Sequence, residues 1–302
     1  MGLFSWLFGG DGGLTKADFS RQISREKFSS YLPWIAYDEK SQVYLNTDNT
    51  LGMLWECSPL AFAGETTINT LGGLFRINVP DGAIMQFILF ADPHIDPIVD
   101  AYVSMKTRES TLIHDVSDKM SRFFKKGVNG MGCLSGIPVR DFRLFFTVKF
   151  LVKDADHVNL NEVNGTVHEV LRGAGLSPEI TDPGVLLAWM RRMLNDDPGD
   201  NVDYYDERNI IRKQALLGTS IEKHWSYLKI DSKVFRCITP NGFPKTGEPI
   251  QTNQLFGGIM GMATDSDQIR TPFMYTLNII LQDQKNKLHT KCNIVLQQQG
   301  VG

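Results

Sequence analysis

The sequence predicts an α+β fold: an N-terminal β-meander and helix subdomain, then an α/β sandwich whose largely antiparallel sheet carries helices on one face. Three patterns lead to it. Phe142, Leu144, Phe146, Val148, Phe150 and Val152 alternate with Arg143, Thr147 and Lys149, the period of a strand with one apolar face. Leu112, Val116, Met120, Phe123 and Phe124 recur at helical spacing, as do Leu160, Val163, Val167, Val170 and Leu171. Short apolar runs at 43–46 and 52–58 flank Thr47-Asp48-Asn49-Thr50, a turn sequence whose Asp and Asn tolerate left-handed backbone.

The elements follow in order. Leu3, Phe4, Trp6, Leu7 and Phe8 form an apolar plug ahead of Gly9-Gly10-Asp11-Gly12-Gly13, so residues 1–17 read as a plug and flexible linker. The N-terminal subdomain occupies 18–126: the hairpin of the two short runs, a helix over 65–75, a buried strand over 84–91, and helical pattern from Asp96. The glycines of 127–136 break that helix, and 127–139 is the expected joint. A second α+β subdomain fills 140–302. It opens on the alternating strand, and Asn159 with Glu162 then forms a capping box for the next helix. Gly173 and Gly175 end that helix. A short strand at 177–180 precedes Asp182-Pro183, an N-cap and first-turn proline opening a helix over 185–194. Strands at 227–230 and 234–238 pair around Asp231-Ser232. Residues 255–262 fit helix or buried strand alike, 273–281 alternate as a strand, and a strand or helix begins near 291–296.

Composition narrows the function. Hydrophobic residues at 42 % and charged residues at 22 % are ordinary for a packed domain, and a net charge of -3 offers no signal for direct nucleic-acid binding. No apolar run reaches the roughly 20 residues a membrane helix needs. The start, MGLFSWLFGG, lacks the basic region of a secretory leader, and Trp6 stands where myristoylation wants Ser or Thr. The four cysteines lie far apart and form no CxxC, which fits a reduced cytoplasmic setting.

The stretch FSSYLPWIAYDEKSQVYLNTDNTLGMLWECSPL, residues 28–60, resembles the opening of the TraC-type conjugative pilus assembly ATPases of type IV secretion. Ser177 to Asp182 with Trp189 to Pro198 is similar to that family's strand, helix and Asn/Asp-Pro exit. Pro272 to Leu277 with Gln282-Asp283-Gln284 is similar to the strand ahead of its helical linker. Leu32, Pro33 and Trp34 carry the family's architecture. The resemblance implies a bacterial cytoplasmic protein, peripheral at the inner membrane, whose N-terminal region forms homo-oligomers and contacts inner-membrane secretion components. Family ATPases take ATP and magnesium in a RecA-like domain with a GxxxxGK[ST] loop, and no such loop stands in these 302 residues. The expectation is therefore a non-catalytic scaffold and docking region ahead of the linker and motor, the alternative being a free-standing adaptor of the channel without a motor.

Site candidates reduce to few. Gly9 to Lys16 lacks the Gly-Lys-Ser/Thr order of a phosphate loop, and Gly127, Gly130 and Gly132 stand in the wrong order for a dinucleotide fingerprint. The six histidines form no i, i+4 pair, and no GxSxG elbow occurs. No catalytic, cofactor or metal residue is assigned. Phe4, Trp6 and Phe8 are the candidates for membrane or partner contact. Arg191 and Arg192 join them, on a helix face opposite Val185, Trp189 and Met193 and so expected in solvent, within reach of an acidic partner or anionic lipid.

Overall fold

The computed structural model describes residues 28–60, 63–107, 110–132, 136–239 and 269–281, and the backbone of 289–299. The apolar plug, the linker and the ambiguous 255–262 lie outside the described residues. A 3-10 turn over Phe28–Tyr31 leads into a meander of β1 (Trp34–Asp38), β2 (Val43–Asn46) and β3 (Thr50–Cys57). Asn49, at φ 56°, makes the β2–β3 turn, and Thr50 donates to Asp48 Oδ1 at 2.6 Å across it. Helix α1 (Glu65–Leu71) continues as a 3-10 turn, followed by β4 (Ile84–Asp92). The helical pattern from Asp96 becomes two helices, α2 (Asp96–Ser104) and α3 (Thr111–Gly127).

Helix α3 stops where a side chain no longer fits. A Cβ on Gly127 would lie 2.8 Å from a Val139 methyl. The chain then runs into β5 (Asp141–Leu151) and α4 (Leu160–Gly173), which Asn159 caps by accepting from the Glu162 amide at 3.3 Å. After the two-residue β6 (Glu179–Ile180), Asp182 caps α5 (Pro183–Leu194), accepting from the Val185 amide at 2.9 Å. Strands β7 (Ile221–Lys223), β8 (Leu228–Ile230), β9 (Lys233–Ile238), β10 (Phe273–Ile280) and β11 (His289–Gln299) complete the described chain.

The result is an α+β fold with antiparallel pairing throughout the described strands. Their order is β1-β2-β3-β5-β4-β10-β11-β9-β8-β7, with β6 beside β3. Strand β4, from before the 127–139 joint, lies between β5 and β10, from after it, so one sheet draws on both sides of that joint. No helix among the described residues is long and apolar enough to cross a membrane.

Helices cover both faces of this sheet, which corrects the expectation of one. On the first face Met53, Trp55, Phe146 and Val148 meet Leu160, Val163, Val167 and Leu171 of α4. On the second, Leu54, Phe90 and Phe145 meet Leu186, Leu187, Trp189 and Met190 of α5. The physical reason is Phe145. It stands among the polar alternates Arg143, Thr147 and Lys149 yet is fully buried, because α5 covers the middle of their face. Tyr37 of β1 and Ile230 of β8 pack in the same core as α5, so the two flanks of the sheet bend toward that helix.

Phe146 sits between Trp55, 5.8 Å away, and Phe87, 4.7 Å away, at 0 % exposure. Phe146→Ala is expected to cost about 3–5 kcal/mol through lost burial and an unfilled cavity. Urea unfolding should show a lower midpoint at unchanged slope; a midpoint within error of the parent's would disprove the packing described.

Candidate docking surface

Of the residues singled out from the sequence, Phe4, Trp6 and Phe8 lie outside the described residues. Leu32 and Trp34 pack against the second core, and the Pro33 carbonyl accepts from the Thr47 amide at 2.9 Å, closing the meander's entry. These three act in the architecture.

Arg191 overturns its expected place. It is 5 % exposed, and its guanidinium donates to the carbonyls of Val202 and Tyr204 at 2.8 Å, Gln214 at 2.9 Å and Asn201 at 3.3 Å. Helix α5 is enclosed nearly all round, so the side opposite Val185 is interior, where Arg191 ties the 195–217 loop to the helix. Burial without a carboxylate in contact holds its pKa below the usual guanidinium value. Arg192 is half-buried on the same helix, and its positive charge acts on Asp92. Arg191 therefore does not stand in solvent, and Arg192 is partly exposed.

Charged groups gather where β3, β4 and β5 run side by side. Arg143 clamps Glu56 through two bonds, Nε to Oε1 at 2.6 Å and Nη2 to Oε2 at 2.8 Å. Asp92 and Asp141 are cross-strand neighbours. Burial raises the pKa of both. Shifted carboxyls in a cleft suggest acid-base chemistry; here Asp92 already accepts the His94 amide at 2.9 Å and shapes the turn into α2. Among the described residues no three His, Cys, Asp or Glu side chains converge as a metal site. A shallow cavity of about 410 Å³ beside the 127–136 glycines is lined by Arg140, Arg270, Pro138 and Pro272. Arg140 is engaged there with the carbonyls of Val128, Val139 and Arg270, at 2.6, 2.9 and 3.0 Å.

The surface that stands out is α3. Leu112, Val116, Met120 and Phe123 are 71, 54, 40 and 48 % exposed, a full helical stripe facing solvent. At about 100° per residue they fall within one quarter of the helix circumference. Lys125 lies on the opposite side, where it bridges Asp96 at 2.9 Å and Asp100 at 3.1 Å and so clamps α3 to α2. The hydrogen bond from Lys125 holds the Asp96 carboxyl below its ordinary pKa. Ser117, a small residue between the stripe and Lys125 on the helix circumference, is buried. Sequence reading located this stripe and not its exposure; the signal was the adjoining run of charges, Asp115, Asp118, Lys119, Arg122 and Lys126, too dense for a helix buried on several sides. Fully exposed Trp225, between β7 and β8, was missed outright.

Comparison with known sequences bears on this surface's setting. A family model described as TraC protein matches residues 28–301. Protein TraC of Escherichia coli (strain K12) is 20 % identical over 297 residues, covering 90 % of this chain and 33 % of that protein. The chain thus spans about a third of the length of the curated relative it matches.

Two outcomes follow from the buried charges. Arg191→Ala strands several carbonyls and is expected to lower stability by about 3 kcal/mol; chemical denaturation checks it, and an unchanged midpoint would return Arg191 to the surface. Asp92 binds its proton more tightly folded than unfolded, so it removes stability as pH rises from the unfolded carboxyl pKa through the folded one. Asp92→Asn, which can still accept the His94 amide, is expected to raise Tm more at pH ~7 than at pH ~4 and to flatten the profile.

Proposed function

The chain belongs to the TraC family of conjugation proteins, and from that premise we propose that it is a non-catalytic scaffold and docking region serving F-type conjugative pilus assembly and DNA transfer. Family membership supports the role in pilus assembly. The docking role rests on one observation, the exposed apolar stripe of α3, because four large apolar side chains on one helix face are costly in water and mark a contact surface. In this reading the two-faced sheet is a rigid platform, and α3 presents the contact to other copies of the chain and to inner-membrane secretion components. The protein then works from the bacterial cytoplasm, peripheral to that membrane.

Met120→Asp puts a charge in the centre of the stripe without entering either core. In cells that depend on this gene for transfer, the variant is expected to lower conjugation frequency and pilus number at least about tenfold, the scale on which a lost interface anchor acts. Its thermal unfolding should match the parent's. Parental transfer frequency at parental protein level would overturn the docking role.

A further inference from the structure

We propose that the cavity beside the 127–136 glycines binds a phosphate monoester, its dianion held between Arg140 and Arg270. Among the described residues the lining holds these two arginines and no carboxylate. Arg140 is half-buried, and its hydrogen bonds go to the carbonyls of Val128, Val139 and Arg270. Carbonyls are dipoles, so they orient the guanidinium and leave its unit charge uncompensated. Arg143 on the same stretch of chain is the contrast, neutralised by Glu56 of the neighbouring strand. The Nε of Arg140 is buried and has no hydrogen-bond partner among the described residues, a costly state for a donor. An uncompensated charge and an unmade donor on one side chain both call for an anion, and guanidinium N–H groups fit phosphate oxygens.

The glycines bring the second cation in. Gly130, at φ 108°, approaches the Gly136 carbonyl so closely that a Cβ would lie 2.7 Å from its oxygen, and the turn closes on itself. Gly136, at φ 80°, leaves room for Arg270, whose Nη1 lies 3.2 Å from where a Cβ would stand. Arg270 is exposed, just ahead of β10, and its carbonyl ties it to Arg140. Two cations suit a dianion better than a carboxylate, which a single arginine already satisfies in the Glu56–Arg143 pair. The end of α3 carries partial negative charge, which disfavours an anion; Arg140 offsets it by taking the Val128 carbonyl. At about 410 Å³ the cavity has the size of a small-ligand site, so the phosphate carries an organic group, placed against Val128, Pro138 and Pro272. Leu112, Val116, Met120 and Phe123 do not line it, and the site is separate from the docking stripe.

Isothermal titration of the 302-residue chain with glycerol 3-phosphate tests the site. The monoester should bind, and dimethyl phosphate and acetate, each with a single charge, should bind at least about tenfold more weakly. Arg270→Glu should weaken glycerol 3-phosphate binding at least about tenfold, since an attractive charge becomes repulsive. Gly132→Asp should do the same with the fold intact, because Gly132 lines the cavity and a Cβ there meets nothing within 4 Å. Its thermal unfolding in phosphate-free buffer should match the parent's. Vesicles separate a lipid headgroup from a soluble ester. Flotation of the parent on phosphatidic acid and not on phosphatidylglycerol, lost in both variants and without glycerol 3-phosphate binding, upholds the site and assigns its phosphate to a lipid. Binding of neither glycerol 3-phosphate nor phosphatidic acid overturns the proposal. So does acetate binding as tightly as the monoester, or parental affinity in folded Arg270→Glu and Gly132→Asp.

Discussion

The stack of Phe145 on Trp189 is the contact on which the second face of the sheet depends. The rings lie 4.1 Å apart and 12° from parallel, joining the middle of β5 to the middle of α5. Phe90 adds a tilted contact with the same indole at 5.9 Å. Once α5 is seated there, Tyr37 and Tyr44 close over it from one flank and Ile230 from the other. The Tyr44 hydroxyl then donates to the Thr181 carbonyl at 2.7 Å, fixing the chain just ahead of the helix. Enclosure of α5 leaves its two arginines no common fate: Arg191 goes inward and Arg192 stays at the margin.

Buried and half-buried cations in this protein are held largely by main-chain oxygen. Arg140 binds the carbonyl just past the end of α3, Arg191 binds the loop after α5, and Arg212 reaches the Ser30 carbonyl at 2.9 Å. Lys233 donates to the carbonyls of Arg192 and Asn195 at the end of α5, at 2.8 and 2.6 Å. Positive charge at a helix C-terminus complements the macrodipole and satisfies carbonyls that have no amide partner. Burial depresses all four pKa values, Arg140 to about 10. Glu56–Arg143 is the contrasting case, a cation held by a carboxylate across neighbouring strands.

Local chemistry was legible in the sequence and long-range placement was not. Asp48-Asn49, Asn159 with Glu162, and Asp182-Pro183 announced a turn and two helix starts, because capping and turn formation involve neighbours in the chain. Strand β1 escaped notice behind Pro33, and β7 is only Ile221–Lys223, too short for a period to show. That the alternation in β5 has two covered faces could be suspected from Phe145 alone. Arg191 was misplaced because a helical wheel orders residues relative to one another and says nothing of what surrounds the helix; the near-continuous apolar sequence of α5 was the available warning. For α3 the stripe was plain, and whether anything covers it depends on tertiary structure.

The position of β4 has a consequence for how the protein is made. Its two neighbours are β5, which follows within about sixty residues, and β10, where Ile84 pairs with Ile280. Until the ribosome has released that distant strand, one edge of β4 has unpaired amides and carbonyls flanked by Ile84, Phe87 and Leu89. Closure of the sheet is thus a non-local step, and the nascent chain carries an adhesive edge until β10 is made. The strand order itself thus leaves that edge to be shielded while the chain between β4 and β10 is made.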